Sequence, residues 1–484
     1  MNLNEKAGQL IVAAGTGDEL LRLVRERHIG GVIWFQQTAA ETAEWNRRLQ
    51  AASRVPLLIS ADLESGMGMR FTDTMWYPWP MAIAAAGDPA YAEAVGRVTA
   101  REARAIGVNH IFAPVADVNV NPDNPVINTR SFGEDPLRVA EFVTAFIRGV
   151  QSEGVLATAK HFPGHGDTHV DSHRSLPTVD TVELGPFRAA IQAGVASVMI
   201  GHLLVPGLDD APATISRRIV DGLLRRELGF DRLVVTDAFN MGGITEVLPP
   251  AEAAVRAIEA GVDQIVMPVD VGEAIKAIKA GVPEARIDES VRRILAGKRN
   301  VGPALQPARN GADPVCRDWA GWRAGPTSAL AEEVAEKAIT LVRGGPVPRS
   351  AKMVTAVISE YAEEVNPLAE LGQSFLLDAN ATNADAFLAA ARDAEVVLLA
   401  LAVRAKSGAG TIALPELARR TIAQLDAAKC VAISFGSPYI VRELPAIPTF
   451  IAAYGIQPVM QRAALRALFG ERPMTGRLPV TVTQ

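Results

Sequence analysis

VLATAKHFPGHGDTHVDSHRSLP, residues 155–177, joins a short apolar run to a loop that holds four of the chain's seven histidines, at 161, 165, 169 and 173, together with Lys160, Asp167 and Asp171. So many titratable side chains are costly to bury unless each finds a partner. The stretch therefore reads as a strand whose end opens onto a functional site. The same pattern recurs on both sides of it. Seven further apolar runs stand at 9–14 (QLIVAA), 30–35 (GGVIWF), 56–61 (PLLISA), 110–115 (HIFAPV), 197–201 (SVMIG), 233–236 (LVVT) and 264–267 (QIVM). Helix candidates such as 18–27, 39–53, 136–153 and 249–260 come after most of them. Eight strand–helix units with strands apolar on both faces predict a (β/α)8 TIM-type barrel rather than a doubly wound sheet.

The residues at the ends of these runs strengthen this reading. Asp62 ends the third run, Asp117 and NTRSFGEDP (128–136) come after the fourth, and Lys160-His161 end the fifth. His202 stands just past the sixth, Asp237 ends the seventh, and Met267-Pro268 close the eighth. In a barrel these strand ends share one face, where the active sites of this fold sit. Asp62 and Asp237, far apart in sequence, then converge on one pocket. The barrel is expected over 1–302, followed by a linker over 303–328 whose Pro, Gly and Ala content shows no periodicity. Residues 329–484 read as a smaller α/β/α sandwich domain: a helix at 329–343, strands near 353–359, 374–379, 395–402, 430–436 and 449–455, and helices at 382–392, 415–428 and 458–469. No GxGxxG or phosphate-binding loop stands there, so no nucleotide cofactor is expected.

Composition excludes several classes. With 49% apolar and 21% charged residues, the chain of 484 residues reads as globular. A net charge of −6 without a Lys/Arg run argues against nucleic acid and anionic membrane surfaces as partners. Two cysteines, Cys316 and Cys430, are too few for a disulfide framework and fit a reducing compartment. No leader pattern and no apolar stretch near the ~20 residues of a membrane span are seen, so a cytoplasmic location is expected. Oligomeric state is not legible.

Histidines four apart would stripe a helix and suggest a metal site, but Pro163, Gly164 and Gly166 oppose a helix. No HExxH or Cys–His pair supports zinc, and no metal is expected. Asp171-Ser172-His173 is either a surface loop with incidental charges or a dyad. In a dyad the aspartate accepts the Nδ1 proton and leaves Nε2 to exchange a proton with substrate. Asp237, in LVVTDAFNMGG (233–243), is either an N-cap or a nucleophile presented to the pocket. Arg130, Lys160 and His161 suit hydroxyl-rich or anionic ligands, or pair with a neighbouring carboxylate. Trp76, Tyr77 and Trp79 either stack on a sugar ring or pack a lid.

These motifs resemble glycoside hydrolase family 3, in its β-N-acetylglucosaminidase branch. The resemblance rests on KHFPGHGDTHVDSHRSLP (160–177), NTRSFGEDP (128–136), VVTDAFNMGGI (234–244), ADLESG (61–66) and MTGRLPVTV (474–482). It implies a barrel followed by a sandwich domain, acting as a retaining exo-β-N-acetylglucosaminidase on terminal β-linked N-acetylglucosamine through a covalent glycosyl-aspartate. Asp237 matches the nucleophile, His173 the general acid/base and Asp171 its partner. Asp62, Arg130, Lys160 and His161 match sugar-hydroxyl ligands, and Arg70 is matched to another. Members of this branch read close to DxEGGR at the Asp62 segment, whereas Met67 stands here in place of that arginine. RFTDTMWYPWP, the third loop, also departs from the pattern. The expected partner is a carbohydrate, with inorganic phosphate as an alternative acceptor. Alternative readings are a phosphorylase with the same nucleophile, a β-glycosidase of different sugar preference, and a non-catalytic sugar-binding member.

Overall fold

Each of the eight apolar runs becomes a strand in the computed structural model of the chain, which describes residues 1–301, 326–359, 371, 373–378, 383–405, 408 and 412–482, with only the backbone at 326 and 327. The strands are β1 (Ile11–Ala13), β2 (Gly31–Ile33), β3 (Leu58–Ala61), β4 (His110–Ile111), β5 (Leu156–Phe162), β6 (Ser197–Ile200), β7 (Leu233–Ala238) and β8 (Gln264–Val266). They pair in parallel in sequence order, and β1 closes on β8 through Ile11 opposite Ile265 and Val12 opposite Val266. The barrel is therefore of the (β/α)8 type that the strand ends predict. Burial on both faces explains the continuous apolar runs: helices cover the outside while side chains fill the interior. The outer helices carry their own start signals. Thr16 with Glu19 and Thr38 with Glu41 form capping boxes for Gly17–Arg27 and Ala39–Ala52, and Asp135 caps Pro136–Ser152, which has proline at its first position.

Two details of the strands matter for the site. β4 pairs only over two residues before Ala113-Pro114, yet Val115 bridges Lys160 and the Ala116 N–H reaches the Lys160 carbonyl at 2.6 Å. That contact carries the chain after β4 alongside β5 as far as Asp117. β5 continues beyond the apolar run, so Lys160 and His161 are strand residues, fixed by the barrel itself.

After the barrel comes a six-stranded sheet of β9 (Thr340–Arg343), β10 (Met353–Ile358), β11 (Gln373–Leu377), β12 (Val396–Leu401), β13 (Cys430–Ser434) and β14 (Thr449–Ala452), in the order β11-β10-β12-β13-β14-β9. All neighbours are parallel except β9, which runs antiparallel to β14. The five expected strands are therefore six. The helix expected over 329–343 runs instead over Pro326–Ala338, and the β-branched and apolar residues Thr340-Leu341-Val342 pair as an edge strand. The linker expected at 303–328 lies outside the described residues up to 325, as does Cys316. Among the described residues no helix is long and apolar enough to cross a membrane.

The C-terminal ends of the second sheet's strands meet the C-terminal face of the barrel. After β12, the Gly408 N–H reaches Asp171 Oδ2 at 2.6 Å. After β13, Asn119 Nδ2 donates to Tyr439 Oη at 3.1 Å. After β14, Gln457 Nε2 donates to the Tyr77 carbonyl at 3.0 Å. The tail joins them: the Glu134 N–H donates to the Pro479 carbonyl at 3.1 Å. The barrel loops after β3, β4 and β5 are each braced from outside the barrel.

Candidate active site

β3 ends in Asp62, and the chain beyond it turns back so that Arg70 NH2 donates to Asp62 Oδ2 at 2.8 Å. Lys160 Nζ, from β5, bridges Asp62 Oδ1 at 2.9 Å and Glu64 Oε1 at 2.7 Å. Arg130, from the loop after β4, grips Glu64 with both Nε and NH2, at 2.9 and 2.8 Å. The third Arg130 nitrogen donates to the Val126 carbonyl at 3.1 Å. Two carboxylates and three cations thus alternate along one chain that is buried at Lys160 and Glu64 and half-buried elsewhere, the arrangement that makes burying them tolerable. Burial opposes ionisation of Glu64, but Arg130 and Lys160 outweigh it and hold the carboxyl well below the usual carboxylate range. Asp62 is also held low: burial is outweighed by Lys160 and Arg70.

A second hub is Asp117, wholly buried. It accepts the backbone N–H of His165 at 2.7 Å and of His161 at 3.1 Å, and its Oδ2 lies 2.7 Å from His161 Nδ1. A carboxylate there makes Nδ1 the donor, so Nε2 of His161 is the nitrogen left for a ligand. The remaining histidines of the loop build its shape. His165 lies between Thr168 Oγ1 (2.7 Å) and Ser172 Oγ (3.0 Å), and burial pushes it down to about 4, which keeps it neutral. His169 Nδ1 lies 3.1 Å from Asn121 Nδ2. Gly166 packs so closely on the chain after β4 that a Cβ would lie 1.7 Å from the Val118 carbonyl oxygen. Among the described residues no group of three or more His, Cys, Asp or Glu is arranged to hold a metal ion.

Asp237 lies at the end of β7. Its Oδ1 accepts the Ala238 N–H at 2.8 Å, while the Ala238 carbonyl accepts from His202 Nε2 at 3.0 Å. Burial would raise the Asp237 carboxyl, but His161, His202 and His173 close by, with that N–H, bring it down to about 2. The carboxylate is ionised and half-buried, held by a peptide that is itself anchored. Across from it, Asp171 Oδ1 lies 2.8 Å from His173 Nδ1 and accepts the His173 N–H at 2.9 Å. Asp171 is buried, whereas a third of the His173 side chain is open. The loop bearing the pair is seated on the turn after β7, where the N–H groups of Gly242 and Gly243 donate to the carbonyls of His173 and Ser172 at 3.1 and 3.0 Å. A Cβ at Gly242 would lie 2.0 Å from the Arg174 carbonyl oxygen, which accounts for the first glycine of NMGG.

The site residues read from the sequence, Asp62, Arg70, Arg130, Lys160, His161, Asp171, His173 and Asp237, therefore meet on one face: Asp62, Arg70, Lys160 and Arg130 in the ion-pair chain, His161 on Asp117, and Asp171 with His173, beside Asp237. Glu64, Asp117 and His202 are not among the site residues expected, although each stands at or near a strand end. Their signal is an ionisable side chain just past an apolar run. Of the three aromatics, Tyr77 and Trp79 are buried, and Trp76 is half-buried with its indole N–H on Ser65 Oγ at 3.0 Å. Met67, in place of the expected arginine, is fully buried in the core.

Chemically, the arrangement offers a fixed anion, a proton carrier with one open nitrogen, and a lattice of donors and acceptors suited to vicinal hydroxyls. Comparisons with known proteins point the same way. Residues 2–296 match the model of the glycosyl hydrolase family 3 N-terminal domain. A β-N-acetylglucosaminidase/β-glucosidase of Cellulomonas fimi is 32% identical over 99% of this chain and 94% of its own length. The solved glycoside hydrolase family 3 β-N-acetylglucosaminidase of Paenibacillus sp. str. FPU-7 superposes with a TM-score of 0.88 at 34% identity, covering 100% of this chain and 99% of that one. A β-glucoside phosphorylase, BglX, superposes with a TM-score of 0.86 at 26% identity, covering 100% and 94%.

Proposed function

This chain belongs to glycoside hydrolase family 3, and on that premise we propose that it releases terminal β-linked N-acetylglucosamine by retaining, exo-acting hydrolysis. The observation that carries the proposal is the pairing of two units on one turn: an ionised Asp237 at the end of β7, and the Asp171–His173 pair seated beside it through Gly242 and Gly243. In the first step an Asp237 oxygen bonds to the anomeric carbon as the bond to the leaving oxygen breaks. Protonated His173 gives its Nε2 proton to that oxygen. In the second step neutral His173 takes a proton from water, the water oxygen bonds to the anomeric carbon, and the carboxylate of Asp237 departs, with net retention. Asp171, by accepting from Nδ1, keeps Nε2 directed at substrate in both steps. Asp62, Lys160, Arg70, Arg130 and His161 are assigned to the sugar hydroxyls. We assign this chemistry to 1–302, with 329–484 as a supporting domain joined through 303–328.

The similarity to a phosphorylase supports a second reading. A histidine in place of a second carboxylate lowers the negative charge that an incoming phosphate meets, and the same glycosyl-enzyme would then yield a sugar 1-phosphate. Assays of an aryl N-acetyl-β-glucosaminide with and without inorganic phosphate separate the two: free sugar in both supports hydrolysis, and sugar 1-phosphate only with phosphate supports phosphorolysis. Asp237→Ala is expected to abolish turnover. His173→Ala is expected to lose roughly 10²–10⁴-fold on poor leaving groups and much less on nitrophenyl glycosides. Equal loss on both would remove His173 as the acid. Sugar binding without turnover of any β-glycoside would favour a non-catalytic member.

A further inference from the structure

We propose that the second domain positions the acid/base pair from outside the barrel: the Gly408 peptide clips Asp171 in place and, through Asp171, fixes the aim of His173. This rests on the assignment of His173 as acid/base. Asp171 Oδ1 is taken up by His173, whose ring Nδ1 and backbone N–H both reach it. The other oxygen, Oδ2, accepts the Gly408 N–H at 2.6 Å, and Arg174 of the same barrel loop returns the contact by donating Nε to the Gly408 carbonyl at 2.7 Å. The N–H and the C=O of one glycine, 237 residues away in sequence, are thus spent on the catalytic loop.

The chemistry explains why such a clip matters. A histidine acid works only while its ring is aimed at the leaving oxygen, and that aim is set through Nδ1 by the orientation of the carboxylate. Asp171 sits on a loop and not on a strand, so its second oxygen needs an anchor outside the barrel. An N–H donating to a carboxylate is among the stronger hydrogen bonds and also helps keep Asp171 ionised, which the buried setting opposes. Gly408 acts as a positioning residue and does not touch substrate.

The test uses the full chain and two substrates, one nitrophenyl glycoside and one with a sugar or alkyl leaving group. Gly408→Pro deletes the N–H and, since proline fixes φ near −65° where Gly408 has +79°, also turns the peptide away from Asp171. It is expected to lower kcat/KM about 10–100-fold on the poor leaving group and less than about threefold on the nitrophenyl glycoside, a partial version of acid loss. Gly408→Asn keeps the N–H. Gly408 has φ of +79° with nothing among the described residues within 4 Å of its Cβ position, and asparagine tolerates that conformation, so this variant should stay within about twofold of the parent. Should Gly408→Pro fail to fold, Arg174→Ala decides: it is expected to show the same split in weaker form, restored by Arg174→Lys. A folded variant with no loss, or with equal loss on both substrates, overturns the clip. Those outcomes are distinct from failure of the underlying reading, which would show as Asp237→Ala retaining activity or His173→Ala lacking the split.

Discussion

Glu64 shows how much a single side chain can hold. It faces two cations, Arg130 through both oxygens and Lys160 through one, and it is almost fully buried. Removing one member of a buried ion pair leaves the others uncompensated and costs about 3–5 kcal/mol. Glu64→Gln keeps the shape and removes the charge. It is expected to lower unfolding free energy by roughly that amount and to weaken sugar binding, because Lys160 and Arg130 are freed to move. Chemical denaturation and KM for an aryl glycoside check both, and a variant as stable as the parent contradicts the ion-pair account. Asp171 and His173 are legible in the sequence because their partnership spans two positions. The pairing of Glu64 is not, because its partners Arg130 and Lys160 lie far along the chain and an ionisable side chain just past an apolar run carries no mark of what it will meet.

At the scale of elements, strand runs and helix caps are readable because each is a local rule: apolar residues on both faces of a barrel strand, Thr and Glu three apart at a helix start. The rule fails at 340–343, where a helical pattern continues into residues that the edge of a sheet captures. One helix also carries a pH-dependent cost. Glu102, on Pro89–Ala105, is buried with neither carboxyl oxygen paired among the described residues, and burial pushes it up to about 8. A raised carboxyl binds its proton more tightly in the folded state. Its contribution to stability is therefore complete below its ordinary value near 4.5 and is lost as pH rises through about 8. The loss is at most roughly 1.4 kcal/mol per pH unit across that window. Lys298, pushed down to about 7 by burial, acts in the opposite sense but only above that value. Glu102→Gln is expected to flatten the fall in stability between about pH 5 and pH 7, measured by urea unfolding at both. An unchanged slope would mean that Glu102 is solvated.

For the molecule as a whole, the two-part organisation and the convergence of strand ends are legible, since alternation of apolar runs and helices persists along the chain. The way the second sheet braces the barrel is not. Its contacts run through the Gly408 N–H, the Tyr439 hydroxyl and the Gln457 amide, and a backbone N–H leaves no trace in sequence. These contacts brace the loops after β3, β4 and β5 on the barrel face where Asp237 ends β7. The most direct test is to incubate His173→Ala, in which the proposed role of His173 predicts slow release by water, with 4-nitrophenyl N-acetyl-β-glucosaminide and to map the modified peptide by mass spectrometry. One N-acetylhexosaminyl group is expected on the peptide containing Asp237, absent when Asp237→Ala is added. A label on another residue, or turnover by the parent enzyme that gives an inverted first product without any adduct, would contradict it.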